Sequence, residues 1–233
     1  MAPTLLHTHL RCPAGQVELW WHTSTVPPRL GSGRRLLTLA ASHALHLPPQ
    51  QIPLYRDEAG RPALLRPRGL PPIGLSVSHS SLTTVAALAE GFSVGIDIEA
   101  TLQVPGPPLL RMALTALERA ELSLAPPHDK TAAFHQIWTA KEAVAKAIGW
   151  PLVRSLVDIE VALHPRPHLE RLGKDSNPNG WQLSPLTPPQ QPAVATLAVL
   201  APFAGPGEHS APISEGGRQG GAAPRASYSA SPP

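Results

Sequence analysis

Two acidic residues interrupt the apolar run "FSVGIDI" at residues 92–98 and are the first candidates for chemistry. Asp97 and Glu99 alternate with the apolar residues of a predicted strand, so both carboxylates lie on one face. They are about 6 to 7 Å apart along that strand and can converge on one hard cation. An ordinary sheet with one polar face exposed to water explains the same pattern. A third carboxylate from elsewhere in the chain would favour the metal hypothesis.

The tripeptide Asp-Ile-Glu occurs a second time, at residues 158–160 within "SLVDIEVAL". This run also reads as a strand that places both acids on one face. Local sequence therefore does not separate a functional copy from a structural one.

A helix is predicted over residues 130–150, ending at Gly149 with Pro151 behind it. Glu142 and Lys146 lie one turn apart on a polar stripe beside its apolar face. They form either a surface ion pair or part of a site that includes the third carboxylate. Lys141 lies near the apolar face, where its stem can cover apolar surface while its ammonium reaches water.

The segment "SVSHSS" at residues 76–81 combines serines with His79. A nucleophilic serine is disfavoured, since the surroundings lack the G-x-S-x-G turn and adjacent strand residues point to opposite faces. His79 remains either a phosphate ligand or a hydrogen-bonded loop residue. The pairs His7 with His9 and His43 with His46 lack the further ligands of a zinc site, so they are interpreted as surface residues.

Composition narrows the class of protein. Net charge is +3 over 233 residues, and only 15% of residues are charged. This excludes the dense basic surface of a nucleic-acid binder. The single cysteine, Cys12, excludes an intramolecular disulfide. No run resembles a signal peptide or a membrane span, so a soluble, cytoplasmic protein without membrane partners is expected.

The remaining elements alternate between helices and strands. A short helix is predicted over residues 34–45 and a turn at 57–60. The runs "TTVAALA" and "FSVGIDIE" flank the turn signal Glu90-Gly91 and predict a β-hairpin, and "ATLAVLAPF" predicts a further strand. Residues 204–233 contain six Gly, five Pro and five Ser, so a disordered tail is predicted there.

Three segments in order carry a resemblance to a known family. "SVSHS", "VGIDIE" and "WTAKEAVAKAIG" resemble the motifs of the 4'-phosphopantetheinyl transferases of the surfactin-synthetase-activating type. "GRPAL" at residues 60–64 is similar to the Gly-Lys-Pro turn of that family. The resemblance covers roughly residues 17–203, and the segment before the first helix is shorter than in the family.

The resemblance implies a reaction. Such enzymes transfer the phosphopantetheine arm of coenzyme A to a serine of an apo acyl or peptidyl carrier protein, releasing adenosine 3',5'-bisphosphate. It implies that Asp97, Glu99 and Glu142 bind Mg²⁺, with Mn²⁺ as an alternative, and that Glu142 is the general base. Lys146 would stabilise phosphate charge, and Asp97 and Lys146 join Glu142 as catalytic residues. The residues expected to bind coenzyme A are Arg34 or Arg35 at the 3'-phosphate, Arg61, Ser78, His79, Lys141 and Lys146.

The implied fold is α+β, with two similar halves related by a pseudo-twofold and the site at their junction. Residues 1–104 would form the N-terminal half, residues 105–203 the C-terminal half and residues 204–233 the tail. The resemblance also implies a monomer. Two other functions remain open: a Mg²⁺-dependent phosphohydrolase that uses the same acids, and a non-catalytic homologue that binds carrier proteins.

Overall fold

The computed structural model describes residues 3–65, 71–101, 103–174, 177–189 and 192–200. The helices within these residues are a 3₁₀ turn at Pro49–Gln51 and the α-helices α1 Ser32–Leu45, α2 Pro107–Ala113, α3 Ala116–Leu124, α4 Lys130–Ile148 and α5 Leu152–Asp158. The strands are β1 Thr4–Cys12, β2 Gly15–Thr23, β3 Leu54–Arg56, β4 Pro62–Leu64, β5 Ile73–Ser80, β6 Thr83–Glu90, β7 Ser93–Ala100, β8 Ile159–Ala162, β9 His168–Leu172, β10 Trp181–Leu186 and β11 Ala193–Leu200. The predicted α+β class is confirmed.

Two antiparallel sheets organise these strands. The larger has the order β1-β2-β6-β5, and the smaller has the order β10-β11-β7. Two short ribbons, β3-β4 and β8-β9, complete the strands. A buried cluster with members on both sheets, including Trp21, Val85, Ile96 and Leu197, forms the main core. This burial of alternate residues follows from the period-2 pattern of the strands.

Each helix layer covers an apolar face of these sheets. On the larger sheet, α1 buries Leu37 and Ala40 against residues such as Trp20 and Ala86. Ala140 and Val144 of α4 share a second cluster with Ile159 of β8 and Ala198 of β11. The predicted helices at residues 34–45 and 130–150 and the turn at 57–60 are confirmed. Among the residues described, no helix is long and apolar enough to cross a bilayer.

The predicted hairpin between β6 and β7 is wrong, although both strands exist. β6 pairs with β5 and β2, whereas β7 pairs with β11 over Ser93–Ala100. The Glu90-Gly91 turn therefore carries the chain from one sheet to the other. Val94, Ile96 and Ile98 lie in the same core as Val85 and Ala87, so core packing decides the arrangement.

The second Asp-Ile-Glu copy does not lie on one strand. Asp158 is the last residue of α5, and β8 begins at Ile159. Its acids also have separate partners, since Asp158 pairs with Arg154 and Glu160 lies near Arg171. The prediction of one strand through "SLVDIEVAL" is therefore wrong, because helix α5, with Pro151 as its N-cap, occupies Leu152–Asp158.

Three predictions stay open. The pseudo-twofold and the division into residues 1–104 and 105–203 are not decided by the arrangement of the strands. The predicted tail, residues 204–233, lies outside the described residues.

Candidate active site

The first Asp-Ile-Glu copy faces helix α4 instead of water. Asp97 is only 3% exposed, and Glu99 is half-buried. Their neighbours Ile96 and Ile98 fill the core on the other face of β7. The predicted shared face of the two acids is confirmed, but the alternative of an open, solvated sheet face does not hold for Asp97.

Gly95 explains why α4 comes so close to β7. A Cβ atom at Gly95 would collide with the carbonyl oxygen of Ala143 and press on the amide nitrogen of Ala147. Only glycine leaves room for this contact between the backbones of a helix and a strand. Glu142 and Lys146 of α4 are thereby carried to the acids of β7.

Alternate serines of β5 hold the acids of β7 in place. The Ser78 hydroxyl donates to Asp97 Oδ1 at 2.7 Å, and the Ser80 hydroxyl donates to Glu99 Oε2 at 3.1 Å. Ser76 and Ser80 also accept the backbone N–H groups of Ile96 and Ala100. These bonds join strands of two different sheets, so the serines of "SVSHSS" orient carboxylates. A nucleophilic serine is not needed to explain them.

Lys146 completes this hydrogen-bond group. Its ammonium donates to Asp97 Oδ1 at 2.6 Å and to the Ser78 hydroxyl at 2.9 Å. Lys146 therefore pairs with β7, and the alternative of a simple surface ion pair with Glu142 does not describe its contacts. Such a charge-assisted bond fixes both side chains at the bottom of a cleft.

Burial and neighbouring carboxylates raise the pKa values of Glu142 and Glu99. Burial is the largest cause that raises the pKa of Glu142 to about 7, and Asp97 and Glu99 add to it while Lys146 opposes it. Burial and the charge of Asp97 also raise the pKa of Glu99. Among the described residues, no hydrogen-bond partner reaches the buried Oδ2 atom of Asp97.

This donor set fits a hard divalent cation. Hard cations prefer carboxylate oxygens, and a cation would offset the burial and the repulsion that raise the pKa values of Glu142 and Glu99. A buried carboxylate oxygen without a partner is costly unless a ligand or water satisfies it. The metal-binding role of Asp97, Glu99 and Glu142 stays a prediction, and the protein offers the residues that it requires.

The carboxylates line a cleft of about 920 Å³. A cleft of this size suits a ligand as large as a nucleotide-containing cofactor. Most of the predicted site residues contribute to its wall, although they come from five separate elements or turns. Those residues are Arg34, Arg61, Ser78, His79, Asp97, Glu99, Glu142 and Lys146.

Arg61 joins the turn between β3 and β4 to the end of α4. Its guanidinium donates to Asp57 Oδ2 at 2.8 Å and to the carbonyl of Ala147 at 3.0 Å. Gly149 ends α4 with a φ of +77°, and a Cβ there would press on Arg61. Arg61 lowers the pKa of the Asp57 carboxyl through hydrogen bonds and charge, which outweigh the opposing effect of burial. A guanidinium has five N–H donors, so Arg61 can also donate to a phosphate as predicted.

Two predicted coenzyme A residues are absent from the described cleft wall: Arg35 and Lys141. Arg35 donates to Ser32 within its own helix at 3.0 Å. Arg34 does line the cleft, and it also donates to the carbonyl of Leu54 at 2.8 Å. Of the two arginines offered for the 3'-phosphate, Arg34 is therefore the better placed.

Lys141 is fully buried, so the expectation that its ammonium reaches water is wrong. Its Nζ donates to Glu118 Oε2 at 2.8 Å and to the carbonyls of Ala113 and Leu156. Burial lowers the pKa of Lys141, and Glu118 opposes that effect. Glu118 also accepts the N–H of Val161. Lys141 therefore joins α4 to α2, α3, α5 and β8 and has no free donor for a cofactor in the cleft.

Several cleft residues were not among the predicted site residues. Trp138 and Trp150 line the cleft with Arg56, and the guanidinium of Arg154 lies 3.7 Å above the centre of the Trp150 ring. A tryptophan inside a predicted apolar helix face is normally interpreted as core. Trp138 is the first residue of the motif "WTAKEAVAKAIG" and adjoins the polar stripe of α4, whereas Trp150 and Arg56 lie outside the quoted motifs.

Comparisons with known proteins agree with the motifs. Residues 93–198 match the family described as the 4'-phosphopantetheinyl transferase superfamily. The 4'-phosphopantetheinyl transferase AcpT of Salmonella typhimurium is 34% identical over 126 residues, which cover 52% of this chain and 60% of that protein. A 4'-phosphopantetheinyl transferase of Bacillus subtilis is 29% identical over 138 residues, covering 59% of each.

A putative 4'-phosphopantetheinyl transferase of Synechocystis is 30% identical over 120 residues, covering 50% of this chain and 47% of that protein. The chain thus matches between about half and 60% of the length of these relatives. The family match contains Asp97, Glu99, Glu142 and Lys146, the four residues that converge in the cleft. Residues 93–198 of this chain, which hold these four residues, are therefore similar to the 4'-phosphopantetheinyl transferase superfamily.

Proposed function

We propose that this protein transfers the 4'-phosphopantetheine arm of coenzyme A to a serine of an apo acyl or peptidyl carrier protein. The reaction depends on Mg²⁺ and releases adenosine 3',5'-bisphosphate. The observation that carries the proposal is the convergence of Asp97, Glu99 and Glu142 with Lys146 on one wall of the 920 Å³ cleft. The matched superfamily supplies the type of reaction.

The proposed step forms one bond and breaks another. The oxygen of the carrier serine attacks the phosphorus atom that bears the pantetheine group. The bond from this phosphorus to the bridging oxygen of the diphosphate breaks, and adenosine 3',5'-bisphosphate leaves with that oxygen. The serine proton passes to a base, so the products are the phosphopantetheinyl serine, the bisphosphate and a proton.

Glu142 is the proposed base, directly or through a water molecule. Its carboxylate group can accept the serine proton. Glu142 lines the same cleft as Asp97 and Glu99, at the junction of α4 and β7. A carrier serine that enters the cleft would therefore meet this carboxylate beside the diphosphate.

Positive charge at the cleft would hold the diphosphate. Lys146 is fixed at the bottom by Asp97 and Ser78. Arg61, Arg34 and His79 line the wall and are the proposed contacts for the other phosphate oxygens. A Mg²⁺ ion held by Asp97, Glu99 and Glu142 would neutralise charge that grows on the diphosphate in the transition state.

We further propose that the protein is of the surfactin-synthetase-activating type and acts as a monomer. The order of the motifs "SVSHS", "VGIDIE" and "WTAKEAVAKAIG" supports this subtype. Light scattering of the purified protein tests the monomer directly. The identity of the carrier protein is best approached by mass spectrometry over a panel of apo carriers.

The activity test is incubation with an apo carrier protein, coenzyme A and Mg²⁺. Transfer predicts a gain of about 340 Da on the carrier, together with adenosine 3',5'-bisphosphate in equal amount. Cleavage of coenzyme A without a gain on the carrier would identify a phosphohydrolase. Binding of the carrier with neither product, across the panel, would identify a non-catalytic homologue.

Two variants control this experiment. Glu142→Gln removes the proposed base and a metal ligand, so nearly all transfer should be lost. Glu160→Gln changes a half-buried carboxylate of β8 that does not line the cleft among the described residues, and it should keep activity. Equal activity of the two variants would contradict the assignment.

A further inference from the structure

Three metal-ligating side chains meet at the edge of the larger sheet. His7 Nε2 lies 3.1 Å from Glu18 Oε2, and His43 Nδ1 lies 3.7 Å from the same oxygen. One ligating atom from each residue can be chosen so that no two are more than 4.8 Å apart. The interpretation of His7 and His43 as unrelated surface residues missed Glu18, which supplies the third ligand from β2.

The strand register and the helix position explain the cluster. His7 of β1 is directly opposite Trp20 of β2, and Glu18 lies two residues from Trp20 on the same face. Helix α1 packs on this face and brings His43 from its last turn. The ligands therefore come from the two strands of the β1-β2 hairpin and from helix α1.

Trp20 holds the cluster in a fixed arrangement. Its ring stacks on His7 with centroids 4.0 Å apart, and its edge contact with His43 has centroids 5.2 Å apart. Its indole N–H donates to Glu18 Oε2 at 3.3 Å. Trp20 itself is only 6% exposed, so it forms a rigid base. Ligands whose orientation is already fixed lose less conformational entropy on binding.

We infer that His7, Glu18 and His43 bind a divalent transition metal ion of the Zn²⁺ class and thereby fasten strand β1 to helix α1. Two imidazoles and one carboxylate are a common zinc donor set, with water at the fourth position. Tetrahedral ligands about 2.1 Å from the ion are about 3.4 Å apart. Two of the three separations are already close to that value, and small rotations of the rings would close the third.

A metal link between these residues would also support strand β1. Strand β1 is at the end of the sheet order among the described strands and pairs with β2, so a link to α1 would hold this edge strand in place.

The site is separate from the proposed active site. Arg34, which lines the cleft, and His43 are both on α1 but nine residues apart, which corresponds to about 13 Å along the helix. The donor types differ as well, because imidazole nitrogens favour Zn²⁺ whereas carboxylates alone favour Mg²⁺. Excess Mg²⁺ should therefore occupy the cleft carboxylates without competing at the histidines.

The test is calorimetric titration of the full chain with ZnCl₂ in excess Mg²⁺. The wild-type protein should bind one equivalent that is lost, or weakened at least about 100-fold, in His43→Ala and in Glu18→Gln. Glu18→Gln keeps the shape of the side chain, and circular dichroism checks that both variants fold. His128→Ala, which removes a largely exposed imidazole elsewhere, is the control and should bind like the wild type.

Thermal unfolding gives a second readout. Zn²⁺ should raise the melting temperature of the wild type and of His128→Ala, because both bind the ion in the native state. It should not raise the melting temperature of folded His43→Ala, which lacks one ligand. No Zn²⁺ binding by the wild type would overturn the inference and leave the cluster as a hydrogen-bonded group. An equivalent that persists in both His43→Ala and Glu18→Gln would place Zn²⁺ elsewhere and overturn it too.

Discussion

Glu142 should cost the metal-free protein stability above neutral pH, and Glu142→Gln should restore that stability while removing activity. The pKa of Glu142 rises from 4.5 to about 7, chiefly through burial and through Asp97. Each pKa unit corresponds to about 1.36 kcal/mol, which gives an upper limit of about 3.4 kcal/mol for a shift from 4.5 to about 7. Solvent screening at this partly accessible side chain lowers the expected effect to about 1 to 3 kcal/mol.

The sign follows from the two protonation states. Between pH 4.5 and 7 the unfolded chain loses the proton of Glu142 while the folded chain keeps it. The free energy of unfolding therefore falls as pH rises through this window and levels off above pH 7. Glutamine does not titrate, so the advantage of Glu142→Gln should grow over the same window, apart from a constant offset.

The assay is urea unfolding in a chelator at several pH values from 4.5 to 8.5. Glu58→Gln, an exposed carboxylate in the β3-β4 turn, is the control and should change stability by less than about 0.5 kcal/mol at every pH. A difference in the free energy of unfolding between Glu142→Gln and the wild type that does not grow in favour of the variant from pH 4.5 to pH 8 would refute the reasoning. Transfer assays with Mg²⁺ on the same samples should show a nearly inactive Glu142→Gln protein.

Three further predictions concern the scaffold and the two acidic copies. Asp97→Asn should lower turnover at least about 10²-fold in saturating Mg²⁺. Asp158→Asn should lower turnover less than about 3-fold and the free energy of unfolding by less than about 0.5 kcal/mol. Equal losses of turnover would show that the metal site has been assigned to the wrong copy or that both copies contribute. Gly95→Ala should destabilise the fold by about 2 kcal/mol or more and reduce turnover, because α4 must move away from β7; a crystal structure or amide exchange with α4 unshifted would contradict this. Lys141→Met should lower the free energy of unfolding by about 3 to 5 kcal/mol by leaving Glu118 buried without its partner, and adding Glu118→Gln should recover part of the loss; a mild effect of the single change would show that Lys141 is not structural.

The local patterns predicted the elements that carry the site. Alternation over "FSVGIDIE" predicted a strand with both acids on one face, and the Gly149 and Pro151 signals predicted the end of α4. Both patterns are governed by neighbours in the sequence, where steric and capping rules act. The convergence of Glu142 with the acids came from the family resemblance, since spacing alone does not place a distant carboxylate.

Long-range contacts account for what the sequence did not predict. Glu118, the partner of Lys141, is 23 residues away in the sequence. The residues next to Lys141 therefore do not indicate that its ammonium forms a buried ion pair. β6 and β7 look like a hairpin, yet they join different sheets because apolar residues of both bury into one core. Glu18 joins His7 and His43 in a cluster of metal-ligating side chains only because the register of β1 and β2 brings it near His7. Such choices depend on tertiary packing, which overrides local preference.

The two carboxylate oxygens of Asp97 have different surroundings, and that difference bears on how a cation and a lysine could share the site. Oδ1 accepts both the Ser78 hydroxyl and the Lys146 ammonium, whereas Oδ2 is buried and has no partner among the described residues. A cation on Oδ2 would therefore not have to displace Lys146 from Oδ1. The lysine charge would then remain available to the diphosphate, and Asp97 would serve both groups at once. Glu99, whose described hydrogen bond is to Ser80, lacks this double role, which is why the loss of Asp97 is expected to be the more damaging.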